Sequence, residues 1–318
     1  MKVELVEQTN DDLSIVNTAR VSMDKWSDKL DMTLNTKGVE RDVSLINYLV
    51  NHLHISTMFH QRFTFKVTRW ECDLYRIENP EYLMGAVWKC DGNSATYYLR
   101  HSFWGWLNLI RQGYLISSPI ENFLCDQFPI ASVPAGLCRH LKVEPAEPVE
   151  LNDVRFIDVS LRITAPIFIM EHLYTHKMFA KNRVSRRYVD SEPTYFQFNE
   201  VRARPDGSIK QGSGGVHHGS NEMLNGYQML TGFLTGVYER LIDEGVAPEQ
   251  ARCILPVSME TSMINTGSLW HYAKLYNLRS EGHAQKETQE LARLINEVLS
   301  DHPMWTQALV EVANERTN

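Results

Sequence analysis

The sequence predicts a chain of mixed strands and helices, on two observations. Apolar and polar residues alternate at Val3–Val6, at Phe63, Phe65 and Val67, and at Ile157, Val159, Leu161 and Ile163, which is the period of half-buried strands. Elsewhere apolar residues recur at helical spacing, over 45–53, 224–241 and 291–299. A chain of 318 residues, 43% hydrophobic, can bury a large core as one big domain or two small ones. Its net charge of -7 argues against a general nucleic-acid binder. Five cysteines are scattered without a CxxC pair, so no metal site and no disulfide framework is signalled. The reading is a reduced, cytoplasmic setting. No apolar signal core opens the sequence, and no run approaches membrane-spanning length.

The elements follow in chain order. Val3–Val6 is a first strand. Asp11 and Asp12 are placed to cap a short helix that runs towards Ala19-Arg20-Val21-Ser22. Residues 24–42 are polar and form a loop. A helix with Leu45, Ile46, Leu49, Val50 and Leu53 ends near His52 and His54. After His54-Ile55-Ser56-Thr57-Met58-Phe59-His60 comes the strand at 63–67. The block of about 71–153 shows no catalytic pattern. It has a helix expected around Thr96–Arg111, and its second half is punctuated by prolines. Ser102-Phe103-Trp104 echoes Ser268-Leu269-Trp270, too briefly to make a repeat. The strand at 157–163 leads through Thr164-Ala165-Pro166 into a helix, proline being suited to a first turn. Residues 190–219 are polar and Gly-rich and read as a mobile loop. A long amphipathic helix over 224–241 ends before Gly245. Pro248 starts the next helix, and two more follow from about Ser268 and over 291–299.

The densest chemistry lies between Pro166 and Tyr188. Lys177, Lys181, Arg183, Arg186 and Arg187 stand there with His172, His176 and Ser185, and no acid occurs between Glu171 and Asp190. Guanidinium forks match phosphate oxygens two at a time, so such a cluster suits a phosphate. On charge alone a solvated basic loop fits equally well.

The order of the residues adds more. Thr175-His176-Lys177, Asn182-Arg183, Ser185 and Arg187-Tyr188 resemble the signature of the flavin-dependent thymidylate synthases, in which Arg-His-Arg precedes Ser, Asn-Glu, Ser and Arg-Tyr. Flanking segments resemble that family in the same order: Ala19–Ser22, the His54/Ser56/His60 segment, Lys210-Gln211-Gly212-Ser213, Ala251-Arg252-Cys253-Ile254-Leu255-Pro256, and Leu278-Arg279 before Ala284-Gln285 and Glu287. The resemblance covers roughly 1–68 and 154–312. It implies one catalytic domain over 1–318 of the α+β class, a twisted sheet packed with long helices, and a mainly helical insertion at about 71–153. It also implies a homotetramer with shared active sites, working on small molecules and on neither nucleic acid nor membrane.

The implied reaction moves a methylene from 5,10-methylenetetrahydrofolate to C5 of dUMP and reduces it with FAD, which NADPH recharges. Carried over residue by residue, Ser185 and Arg279 are catalytic. His172, Arg183, Ser185, Arg187, Arg252 and Arg279 contact the substrate. His54, Ser56, Thr175, His176, Lys177 and Lys274 contact the cofactor. The departures are specific. Thr175 replaces an arginine that helps hold FAD, Lys177 keeps charge without the fork, Arg183 replaces an acid, and His172 stands where a glutamine often does. Three alternatives therefore stay open: another nucleotide such as dCMP, a hydroxymethyl product, or a nucleotide-binding subunit that has lost turnover.

Overall fold

A computed structural model describes residues 1–68, 70–71, 87–90, 96–140, 142–205 and 213–315. Strand β1 (Lys2–Val6) is followed by α1 (Asp12–Arg20), whose N-cap Asp11 accepts from the Ser14 amide while the Ser14 hydroxyl takes up the Asp11 amide. Helix α2 (Arg41–Asn51) and a 3-10 turn at Ile55–Met58 lead into β2 (Arg62–Thr68). Next come β3 (Val87–Cys90), β4 (Thr96–Ser102), α3 (Phe103–Arg111), α4 (Ser118–Gln127) and α5 (Pro129–Ala135). The second half holds β5 (Asp158–Pro166), α6 (Ile167–Tyr174), β6 (Ala180–Arg183), α7 (Ser220–Asp243) and α8 (Pro248–Ala251). It closes with β7 (Glu260–Ser268), α9 (Leu269–Arg279), α10 (Lys286–Leu299) and α11 (Trp305–Glu315).

Two antiparallel sheets form, where one was expected. The first has the order β1-β5-β7-β6, and the second β2-β4-β3. Each has its own core. Phe63, Phe65, Leu99, Trp106 and Phe128 fill one, with apolar residues of α1 and α2. Leu161, Ile163, Met263, Tyr272, Leu291 and Trp305 fill the other. Among the described residues no helix is long and apolar enough to cross a membrane.

Two expectations need correction. The block at 71–153, expected to be mainly helical, contributes α3, α4 and α5 together with the strands β3 and β4 in its described part. The helix expected over 96–111 begins only at Phe103. The aromatic and β-branched start of that segment, Thr96-Tyr97-Tyr98, favours strand and pairs with β2. The arm after Asp190 is not a free loop in its described part. Phe198 stacks on Phe168 and meets Tyr227 edge-on, Phe196 packs edge-on against Phe168, and Arg202 pairs with Glu287 at 2.7 Å. Lys210, Gln211 and Gly212 lie outside the described residues.

Helix α7 has the expected extent but is poorly covered. Only Ser220, Thr231 and Tyr238 are buried along it, while Met229 is 77% and Phe233 68% exposed.

Candidate functional site

Strand β6 organises the site. A strand sends alternate side chains to opposite faces. Asn182 therefore points inward, its amide donating to the Thr18 carbonyl at 3.1 Å, while Lys181 and Arg183 point outward. Beneath it, buried His60 has Nδ1 2.7 Å from Thr266 Oγ1, and Ser160 Oγ is 2.6 Å from the same hydroxyl. Burial, helped by nearby Arg62, pushes His60 down to about 3, so its ring is neutral at pH 7. His60 and Asn182 thus fix β6 from below. The Ala19–Ser22 segment fixes its far end: the Ser185 amide donates to the Ser22 carbonyl at 2.9 Å, and Arg20 pairs with buried Asp42 at 2.5 Å.

The outward face of β6 lines a cleft of about 540 Å³. Lys181, Arg183, Arg186 and Arg252 bring positive charge to it. Ser22, Ser56, Ser185 and Thr261 bring hydroxyls, and its described lining holds no carboxylate. The Arg183 guanidinium stacks over Tyr174 at 5.6 Å, and Lys181 sits over Tyr174 and Phe179 at 5.7 Å. Burial and neighbouring Lys177 push the Lys181 ammonium down to about 8. An anion is what this cleft can hold.

A second cluster adjoins it. Arg279, at the end of α9, donates from Nε to His176 Nε2 at 3.1 Å, and from its terminal nitrogen to Thr175 Oγ1 at 2.9 Å and the His172 carbonyl at 3.4 Å. Burial, with Arg279 and Lys181 nearby, pushes His176 down to about 4. Its neutral Nε2 is therefore free to accept from Arg279. The His176 carbonyl accepts from Lys181 Nζ, so this one residue joins the Arg279 cluster to the cleft. His172 Nδ1 lies 2.7 Å from Thr288 Oγ1.

The expected residues therefore fall into groups. Ser56, Arg183, Ser185 and Arg252 share the cleft, and His172, Thr175, His176 and Arg279 share the second cluster. Exposed His54 stacks on Tyr48 at 5.3 Å, two residues from Ser56. Lys177 is exposed. Lys274 lies 3.6 Å from the Trp270 ring centre and pairs with Glu315 at 3.1 Å. Arg187 is not in the cleft lining; it pairs on the surface with Glu249 at 3.1 Å. Sequence reasoning counted Lys181 in the basic cluster suited to a phosphate without giving it a contact of its own, and it assigned no role to Ser22 or Thr261. For Lys181 a signal existed, since it shares a strand face with Arg183 two residues on.

Comparisons with known proteins agree with the motifs. Residues 153–303 match the family described as thymidylate synthase complementing protein. The flavin-dependent thymidylate synthase of Aquifex aeolicus is 26% identical over 325 residues, covering 94% of this chain and 96% of that protein. The one from Kosmotoga olearia is 31% identical over 157 residues, 48% of this chain and 66% of that protein. Among solved structures, a UMP/dUMP methylase of Streptomyces cacaoi bound with 5-Br UMP superposes with a TM-score of 0.46 at 18% identity, over 98% of this chain and 94% of that one. That superposition is too loose to say more about this chain.

Proposed function

Because this chain is a divergent relative of the flavin-dependent thymidylate synthase family, we propose that it methylates a pyrimidine deoxynucleotide at C5, with dUMP to dTMP as the family's reaction, drawing the carbon from 5,10-methylenetetrahydrofolate. The observation that carries this reading is the cleft. Ser22, Ser56, Arg183, Ser185 and Arg252, from four separated motifs, line one acid-free cavity beside the Arg279 cluster. Arg252, Arg183 and the Ser185 hydroxyl hold the nucleotide phosphate. Arg279 is oriented by His176 and Thr175, and serves as a fixed donor at the carbonyl edge of the base. A preorganised cation there stabilises negative charge as it develops, at no cost of reorientation. Neutral His176 keeps that donor in place, so acidification below about pH 4 would release it.

The donors on hand suit a flavin dinucleotide. Ser56 stands at the cleft, His54 beside it, and exposed Lys177 makes no ion pair among the described residues. FAD held there would supply the hydride that completes the methyl group, with NADPH as electron donor. The exposed apolar face of α7, with Met229, Leu230 and Phe233, suits burial against further copies of the chain, in line with a homotetramer whose sites are shared.

The test is to mix purified protein with FAD, NADPH, methylenetetrahydrofolate and each pyrimidine deoxynucleotide, then weigh the products. One methyl group gained on dUMP is the expected result. Gain on dCMP, or gain of a hydroxymethyl group, moves the substrate or product within the same reading. No product from any nucleotide overturns turnover. One feature favours that last outcome: the Thr175 hydroxyl, standing where the family has a flavin-holding arginine, is occupied by Arg279. A flavin fluorescence titration separates the cases, since a binding subunit would take up nucleotide and ignore FAD.

A further inference from the structure

Where the two sheets meet, the smaller one brings two arginines onto one face. Arg62 lies opposite Ser102 and Arg100 opposite Thr64, so Arg62 and Arg100 are diagonal neighbours on adjacent strands. Both are buried: the Arg62 side chain is 4% exposed and that of Arg100 1%. They meet one carboxylate, Asp158 at the start of β5, and they meet it at the same oxygen. Asp158 Oδ1 is 3.7 Å from Arg62 Nη1 and 2.8 Å from Arg100 Nη1. Two cations therefore share one negative charge away from water. The other charged groups around them leave that imbalance in place. Asp153 acts on Arg100 from a distance, but its carboxylate contacts Lys89 at 2.9 Å and Arg155 at 3.5 Å. Lys274 is paired with Glu315, and His60 and His271 are neutral at pH 7.

Hydrogen bonding is incomplete in the same place. Arg62 donates from Nε to the Phe59 carbonyl at 3.1 Å. Arg62 Nη1 and the three nitrogens of Arg100, Nε, Nη1 and Nη2, are buried and have no hydrogen-bond acceptor among the described residues. The approach to Asp158 is close but poorly directed, and Oδ1 accepts no hydrogen bond either. Buried N–H donors are nearly always matched, and a buried charge is tolerated when it is paired. Water would supply an acceptor but no charge. A small anion supplies both, accepting from several N–H groups at once.

We propose that the junction of the two sheets binds one small monovalent inorganic anion, such as chloride, between the guanidiniums of Arg62 and Arg100. The site is separate from the cleft, since Arg62, Arg100 and Asp158 do not line it, and it stands independently of the function given above. With the anion in place the junction holds two positive and two negative charges, and the sheets are joined by an ion as well as by Asp158.

The experiment is thermal unfolding of the full chain, exchanged into sodium gluconate and then titrated with chloride or bromide at constant ionic strength. The midpoint is expected to rise by about 2–4 °C along a saturating single-site curve. Arg100→Met leaves one cation facing one carboxylate, so its midpoint should no longer respond to halide. Asp158→Asn leaves two cations unopposed, and half-saturation should then need about ten-fold less chloride. A general salt effect on the protein surface would treat all three proteins alike, and that result overturns the proposal. Anomalous scattering from a crystal grown in bromide locates the ion. A bromide peak between Arg62 and Arg100 supports the site. Water at that position, or equal wild-type midpoints in chloride and gluconate, overturns it. The wild-type titration and the bromide crystal decide the matter even if both variants fold poorly.

Discussion

Two regions of this chain are built on one plan. In the first half β2 pairs antiparallel with β4, which runs into α3. In the second half β5 pairs antiparallel with β7, which runs into α9. The start of the earlier strand faces the same point in each: Arg62 lies opposite Ser102, and Asp158 opposite Ser268. Both serines cap the helix that follows, accepting from Gly105 N and His271 N, and both helices end in an arginine, Arg111 and Arg279. The units differ at the edge. In the second, β7 carries β6, with Lys181 and Arg183, and the His176 turn engages Arg279. In the first, β4 carries β3, and Arg111 is exposed. A strand, a serine cap and a helix make a scaffold; what is added to its edge decides whether it bears a site.

The two units meet at equivalent positions. Asp158 Oδ1 lies 3.7 Å from Arg62 and 2.8 Å from Arg100, and the Arg100 side chain is 1% exposed. Burial pushes the Arg100 guanidinium down to about 10, so it stays charged at pH 7 and needs its partner. Asp158→Ala would leave two buried guanidiniums facing each other. The expected loss is about 3–5 kcal/mol, the range for breaking a buried pair from one side. Urea denaturation measures it. A loss below about 1 kcal/mol would show that the junction does not depend on this pair.

Acid should open the same junction more gently. His60 and His271 both lie near it, and burial with Arg62 or Arg100 close by pushes each down to about 3. The unfolded chain binds those protons near pH 6.5. The stability these rings contribute is therefore fully present above about pH 6.5 and is lost as pH falls towards about 3. Asp12, raised to about 6 by burial, works in the opposite sense, since its protonation favours the folded chain. The net expectation is a loss on the order of 3 kcal/mol between pH 7 and 5, read from denaturation midpoints. A flat profile over that interval would mean that these histidines already reach water.

Two glycines sharpen the contrast between a plain scaffold and one that bears a site. A methyl group at Gly105 would sit 2.0 Å from the His101 ring, and one at Gly267 would sit 2.4 Å from Phe179. Each Gly→Ala change should cost about 1–3 kcal/mol through overpacking. Only Gly267→Ala should also weaken nucleotide binding, because Phe179 lies under Lys181. Equal binding by the two variants would remove the link from Phe179 to the cleft.

The sequence was most informative where structure is local. The cap at Asp11, the alternation of β1 and β5, the end of α2 at Asn51 and the helix after Ser268 each depend on neighbours within a few residues. The second sheet was missed because Thr96–Ser102 runs without a turn signal into Phe103–Arg111, so the strand-favouring Thr96-Tyr97-Tyr98 was read as the start of the helix, and pairing with β2 is what sets the boundary at Phe103. The support of β6 was hidden for the same reason. It brings together residues 18, 60, 182 and 266, and no period connects them. The motif frame gave Arg183, Ser185 and Arg252 a common role, and they share the cleft. It gave Arg187 that role too, yet the Arg187 side chain turns to Glu249, a choice made by α8 and not by the frame itself.

The smallest expected effect tests the shared plan most directly. If the two units are equivalent, their cap serines should be worth similar amounts. Losing a serine N-cap costs about 0.5–2 kcal/mol. Ser102→Ala exposes only the Gly105 amide, whose bond to the hydroxyl is 3.2 Å long. Ser268→Ala frees the His271 amide, bonded at 3.4 Å, and also removes a contact of 2.9 Å between Ser268 Oγ and His271 Nδ1. His271 is buried and neutral, so one ring nitrogen would then lack a partner, at a cost of about 1 kcal/mol more. Ser268→Ala should therefore exceed Ser102→Ala by roughly that amount. Combining either with Lys181→Met should give additive losses, since neither serine touches the cleft. Equal costs would reduce the His271 contact to an incidental one. A larger cost at Ser102 would mean that the first unit is the more tightly built of the two, and that the scaffold without the site holds the chain together.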